Sequence, residues 1–209
     1  MRVEPIPGLV LDEAMFELAA AAVAEYTPHI APLTWERFID PARWLNIPDP
    51  DGEISKSELT LLVGVERTVK LNRWLRPDIR GGEEEQIPHN HRWDKFRGHI
   101  LRGAYSEMRW RRTDIDPETG RAKVIAEPRV THSSPTANEV AHDVWHEVHE
   151  CEPGTLSLMD CDYGEFGDWT HLDLATGILR KDQPVAGFAE MLAALNPHRP
   201  DLARPARSN

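Results

Sequence analysis

Apolar residues fall at Met15, Leu18, Ala19, Ala22, Val23 and Tyr26, the i, i+3, i+4, i+7, i+8, i+11 spacing of one helical face. Asp12 stands where a helix cap belongs, and Thr27-Pro28 ends the run. Trp35, Phe38 and Trp44 make a second, shorter helical pattern, closed by the turn residues from Ile47 to Gly52. From about residue 57 the period shortens. Short runs rich in β-branched and aromatic residues follow one another, and turn residues separate them. Thr68–Leu75, Ile100–Arg112 with a bend at Gly103, Lys123–Val130, Val144–Glu150 and Thr155–Cys161 are the predicted strands. Asp116-Pro117-Glu118-Thr119-Gly120 and Glu152-Pro153-Gly154 supply turns between them. Helical spacing returns at Val185, Phe188, Met191, Leu192 and Leu195, followed by a Pro- and Arg-rich tail from Asn196 that is expected to fray. Consecutive short strands without intervening helices predict a mainly-β barrel or two-sheet sandwich. The expected division is a helical N-terminal arm over 1–55, a barrel over 56–180, and a C-terminal helix with tail over 181–209.

Charge narrows the partners. The 209 residues carry 35 acidic and 24 basic side chains, a formal net charge of −11. Such a chain is a poor general ligand for nucleic acid or an anionic membrane. No apolar run is long enough to span a bilayer, and Met1-Arg2-Val3-Glu4-Pro5 does not read as a signal peptide, so a cytoplasmic location is expected. Cys151 and Cys161 cannot form a disulfide framework and read as buried thiols. Glu83-Glu84-Glu85 reads as a solvated loop. Seven Trp read as architectural anchors, with Trp93 and Trp145 expected to point outward beneath the helical arms.

The ten histidines carry the chemistry. In Ile87-Pro88-His89-Asn90-His91, two imidazoles stand at i and i+2, so in extended chain they project from one face and can share a metal; two surface histidines are the plain alternative. A second cluster spans His142, His146 and His149. A helix would pair His142 with His146 as in i, i+4 zinc sites. Val144, Trp145 and Val148 favour a strand, which sends His142 and His146 one way and leaves His149 exposed or capping.

Taken together, the H-x-H pair, a strand ending at Gly103, a hairpin, and a single His before a Pro-Gly turn and a last apolar strand resemble the two-motif signature of the cupin superfamily. The resemblance implies a jelly-roll β-barrel with the metal ligands His89, His91 and His146. Phe96 falls where the first motif usually has a carboxylate ligand. Within that superfamily, the three-histidine set, the His89-to-Gly103 spacing and the stretch through His171-Leu172-Asp173 and Thr176-Gly177 resemble the cysteine dioxygenase family of thiol dioxygenases. That family's Ser-His-Tyr relay falls on Ser157, Met159 and Cys161, its cross-linking Cys on Phe96, and Lys56 falls near its substrate-carboxylate Arg. The resemblance thus implies the metal without the family's pocket chemistry.

Three neutral ligands leave a divalent ion its full charge and open positions, which favours a chelating anionic substrate. The expected activity is a mononuclear non-haem Fe(II) oxygenase acting with dioxygen on a small amino-acid-like or thiol molecule. A Zn, Mn or Ni cupin with isomerase, lyase or cyclase activity, and a ligand-binding barrel without turnover, are the alternatives. Asn72, Phe96, Tyr105, Ser157, Met159 and Cys161 are the candidate pocket residues, with plain core packing as the competing role. Asp94, Tyr163, Arg73, Arg76, Arg92 and Arg97 are weaker candidates. Cupin-like chains often pair as homodimers.

Overall fold

A computed structural model of the protein describes residues 1–80, 86–181 and 185–202. The acidic run Glu83–Glu85 and residues 203–209 of the tail lie outside the described residues. The elements are β1 (Arg2–Ile6), β2 (Leu9–Asp12), α1 (Glu13–Tyr26), α2 (Trp35–Phe38), β3 (Trp44–Pro48), β4 (Ile54–Val63), β5 (Thr68–Trp74), β6 (Lys95–Arg102), β7 (Ala104–Ile115), β8 (Ala122–Ala126), β9 (Val130–Ser133), β10 (Ala137–Ala141), β11 (Val144–Cys151), β12 (Leu156–Cys161), β13 (His171–Leu172), β14 (Leu179–Arg180) and α3 (Phe188–Leu195).

Two antiparallel sheets face each other in a jelly-roll, cupin-type barrel with helices at both ends of the chain. One sheet has the order β10-β6-β12-β5-β4-β3, and the other β11-β7-β8 with β9 also on β7. The second sheet continues past β11 through single bridges from His89 to His146 and from His89 to His171, which carries β13. At Gly103 the chain passes from one sheet to the other, since it ends β6 and precedes β7. Its φ is +76°, and a Cβ there would stand 2.4 Å from Thr155 Oγ1, so both the bend and the close approach require glycine.

The main hydrophobic core lies outside the barrel. α1 starts at Asp12, whose carboxylate accepts the Met15 N–H at 2.8 Å, and ends at Thr27. Its apolar face packs with Leu9 and Leu11 of β2 on Leu59 and Leu61 of β4, Val69 and Leu71 of β5, and Leu156 and Leu158 of β12. Side chains alternate along a strand, so the other face of these strands, with Lys56, Glu58, Thr60, Lys70, Asn72, Trp74, Ser157 and Met159, turns into the barrel.

Four expectations need correction. The N-terminal arm is not helical throughout: β1 and β2 form a hairpin before α1, and Trp44 belongs to β3, the edge strand beside β4. Asn196 does not fray. Its amide is fully buried, with Oδ1 accepting the Asn46 N–H at 2.7 Å and Nδ2 donating to Asn46 O at 2.8 Å. Trp93 points inward and lines the cavity. Trp145 does point out of the barrel, but its cover is the 170–179 segment, through Thr170, Leu172 and Leu179, rather than a helical arm. No helix among the described residues is long and apolar enough to cross a membrane.

Candidate metal centre

The barrel encloses a cavity of about 470 Å³. His89, His91 and His146 converge on its wall with one ring nitrogen each, all within 4.8 Å of one another. His146 comes from β11. His89 and His91 come from the extended segment beside it, where Asn90 faces the other way and is anchored by Thr170 N–H at 2.7 Å and by its own bond to His142 O at 3.0 Å. That anchoring fixes the parity that sends both flanking imidazoles inward.

The nitrogen atoms fit a metal ion. His91 Nε2 and His146 Nε2 are 3.0 Å apart, too close for two bare lone pairs without a proton or cation between them. His89 Nδ1 is buried with no hydrogen-bond partner. Burial holds the pKa values of His89 and His91 well below the ordinary imidazole range, so both rings are neutral and able to ligate. The indole of Trp93 stacks on His91 at 5.3 Å, and Phe96 meets the same ring edge-on at 4.8 Å.

Behind His146 lies Glu107 of β7, fully buried. Its Oε2 accepts from His146 Nδ1 at 3.0 Å and Asn138 Nδ2 at 3.2 Å; its Oε1 accepts from His132 Nε2 at 3.0 Å and from Arg109. Burial alone would raise this carboxyl's pKa, but the donors outweigh it and hold the value far below the usual carboxylate range. Glu147, equally buried on the opposite face of β11, has a poorer environment. Burial and nearby Asp78 push its pKa up to about 7 against the hydrogen bond from the Ile87 N–H.

A chain of charges runs from β4 and β5 round to Asp78, which is bridged to Val148 of β11. Lys70, Glu58, Lys56, Asp78 and Arg80 form a continuous chain of ion pairs at 2.9, 3.4, 3.0 and 2.7 Å. Three cations against two carboxylates leave one positive charge. Burial opposes ionisation of Glu58 and Asp78, yet Lys70 and Lys56 bring Glu58 down to about 2, and Arg80 and Lys56 hold Asp78 well below its usual range. Asn72 Oδ1 and Arg80 Nε are buried without a hydrogen-bond partner among the described residues.

Of the expected pocket residues, Asn72, Phe96, Tyr105, Ser157 and Met159 line this cavity. Cys161 does not, and its assignment to the pocket is corrected: it is fully buried in an apolar cluster with Trp93, Phe96, Val140 and Val144, and burial pushes its thiol pKa up. His142 sits in the turn before β11 with Nδ1 2.6 Å from His91 O, so it braces the ligand segment without joining the nitrogen cluster. His149 is neither exposed nor a cap; it is largely buried 3.3 Å from Glu147. Lys56 and Arg92 reach the cavity, whereas Arg76 pairs with Asp49 and Arg97 with Glu139 outside it. Tyr163 is exposed. Sequence reasoning missed Glu58, Lys70, Asp78, Arg80, Glu107 and Phe188. The signal available for Glu58 and Lys70 was the polar half of an alternating strand, which reads as a solvated face.

No family model matches this chain, and no curated protein does. Among solved structures it is similar to KdgF from Halomonas sp. (15% identity, 53% of this chain and 82% of that one, TM-score 0.34). It is also similar to a protein with a double-stranded beta-helix domain from Klebsiella pneumoniae subsp. pneumoniae (8% identity, 61% and 86%, TM-score 0.35). A third likeness is to the Fe(II) form of HppE (12% identity, 57% and 55%, TM-score 0.37), so the chain spans little more than half of that protein's length. At these scores the likenesses carry no argument; the barrel rests on the strand pairing described above.

Proposed function

We propose that this chain is a metal-dependent cupin enzyme, a mononuclear non-haem Fe(II) oxygenase acting on a small, chelating, amino-acid-like or thiol substrate. The observation that carries the reading is the convergence of three imidazoles, two buried and one half-buried, with one ring nitrogen each on the wall of a 470 Å³ cavity. His89, His91 and His146 would hold the ion. When bound, Fe(II) supplies Lewis acidity and dioxygen chemistry at the positions that three neutral ligands leave open.

The chain's own residues do the rest. The surplus positive charge of the lysine wall offsets a negative charge on the substrate, and Asn72 Oδ1 offers a buried acceptor for a donor such as an amine. Trp93 and Phe96 exclude water from one side of the imidazoles. Met159 and Cys161 stand in the positions of a His and a Tyr in the cysteine dioxygenase family, so the strand bearing them offers no proton relay, and the chemistry there relies on binding and orientation.

The test is metal content, with oxygen uptake after anaerobic Fe(II) loading, on wild type and His146→Ala against a panel of amino acids and thiols. Near-stoichiometric iron and substrate-triggered uptake are expected, with both lost in the variant. Tight Zn or Ni without uptake would replace the oxygenase with a redox-neutral enzyme. Unchanged metal binding in His146→Ala would overturn the ligand set.

A further inference from the structure

We infer that Glu107 is the positioning residue of the metal centre: its carboxylate accepts the Nδ1–H of His146 and so keeps the bare Nε2 facing the cavity. The inference rests on His146 being a ligand. β7 and β11 are antiparallel neighbours, with Arg109 opposite His146 and Glu107 opposite Val148. Glu107 therefore stands two residue pairs along from the ligand, on the same inner face.

Two fixed donors, Asn138 Nδ2 on Oε2 and Arg109 on Oε1, and two imidazole nitrogens, His146 Nδ1 on Oε2 and His132 Nε2 on Oε1, surround the Glu107 carboxylate. The orientation of Asn138 is itself fixed. Its Oδ1 accepts from Arg109, so its Nδ2 must turn toward Glu107 and the Tyr105 hydroxyl, which it meets at 2.8 Å. An ionised carboxylate offers only lone pairs, and Arg109 balances its charge. His146 Nδ1 must then carry the proton, and Nε2, the atom 3.0 Å from His91 Nε2, must be bare. Without that acceptor the two tautomers are free to exchange, and the ring loses its anchor. Outer carboxylates that hold a metal-bound imidazole in this way are worth ~10–100-fold in metal affinity.

The glutamine variant makes a sharper prediction than simple loss. In Glu107→Gln the amide oxygen faces Arg109, the one full cation around it, and the amide NH2 then takes the Oε2 position, where it displaces the Asn138 Nδ2 donor and faces His146 Nδ1. That nitrogen becomes the acceptor, the proton moves to Nε2, and the atom aimed at the metal is blocked.

The experiment uses the full metal-stripped chain as wild type, Glu107→Gln, Glu107→Ala and Arg111→Ala. Histidine side-chain 15N spectra read the tautomer of His146, and cobalt(II) competition against a chromophoric chelator reads affinity. Wild type should show His146 only as the Nδ1–H form. Glu107→Gln should show the Nε2–H form with cobalt(II) binding weakened by ~100-fold, and Glu107→Ala a mixture with ~10-fold weakening. Arg111→Ala, which removes an exposed ion pair with Glu127 on the same strand, should leave both readouts unchanged. A pure Nδ1–H His146 in the folded Gln variant, or in the Ala variant if Gln does not fold, overturns the role, as does unchanged cobalt(II) affinity in either. If wild type binds no cobalt(II), the metal reading fails by itself, while the spectra still decide whether Glu107 sets the tautomer.

Discussion

The two walls of the cavity solve the problem of buried polarity in opposite ways. The histidine wall, on β11 and the His89–His91 segment, presents imidazole rings to the cavity and keeps a full negative charge, Glu107, behind them against Arg109, Asn138 and two imidazole nitrogens. The lysine wall, on β4 and β5, presents full charges directly and balances them pairwise in a chain that Asp78, bridged to Val148 of β11, and Arg80 complete. Neutral nitrogen atoms with fixed lone pairs suit a metal ion. A chain of ions with one cation in excess suits an anion. Glu107 and Glu147 sharpen the point, because both are fully buried near His146 and only the first has enough donors to stay ionised well below neutrality.

If the lysine wall is held by mutual compensation, removing one member strands the others. Asp78→Ala leaves Arg80 and part of the Lys56 charge buried and unpaired, and should cost about 3–5 kcal/mol in urea denaturation of the metal-free chain. A cost below about 1 kcal/mol would mean that solvent compensates this wall and that the contrast with the histidine wall is only apparent.

The next effect is on pH dependence. Glu58 has a folded pKa of about 2 against an ordinary 4.5, so it binds a proton more weakly when folded. Its contribution is fully present above about pH 4.5 and is lost as pH falls through 4.5 toward 2, amounting to about 3 kcal/mol. Stability measured from pH 6 down to 2 should fall steeply in wild type and less steeply in Lys70→Met, which removes the nearer cation. Equal slopes would remove Lys70 from the account.

The smallest effect comes from a neutral contact on the same floor. Trp74 Nε1 donates to Ser157 Oγ at 3.1 Å. Ser157→Ala should cost about 1 kcal/mol, with no dependence on pH between 3 and 6. A pH-dependent loss would show that this contact is coupled to the charged chain.

Much of this was legible in the chain itself. The α1 face, its Asp12 cap, the Gly103 bend and the strand carrying His146 follow from local periodicity and turn chemistry, and each lies within a residue or two of its expected place. The histidines stood out because an i, i+2 pair in extended chain has one geometric consequence. Trp93 was misplaced because strand alternation was carried past His91 into residues that form no regular strand. Cys161 was misplaced because facing inward on β12 is not the same as reaching the cavity: Phe96 and Val140 close over it.

By itself the sequence determined the α1 and α3 helices, the strands β5, β7, β11 and β12 and the shared face of His89 and His91, because those depend on period and on neighbours a few residues away. The tertiary structure alone decided which face of each strand is the inside. Ser55-Lys56-Ser57-Glu58-Leu59-Thr60-Leu61 reads as an apolar core face backed by a solvated one. The reverse is true of the barrel: α1 and the β1–β2 hairpin cover the leucines from outside, and the charges are enclosed opposite the histidines. Burial depends on what packs against a face, and the element that settles it here lies some forty residues earlier in the chain. Glu107 was hidden for the same reason, since its meaning is the His146 nitrogen 3.0 Å away and 39 residues on.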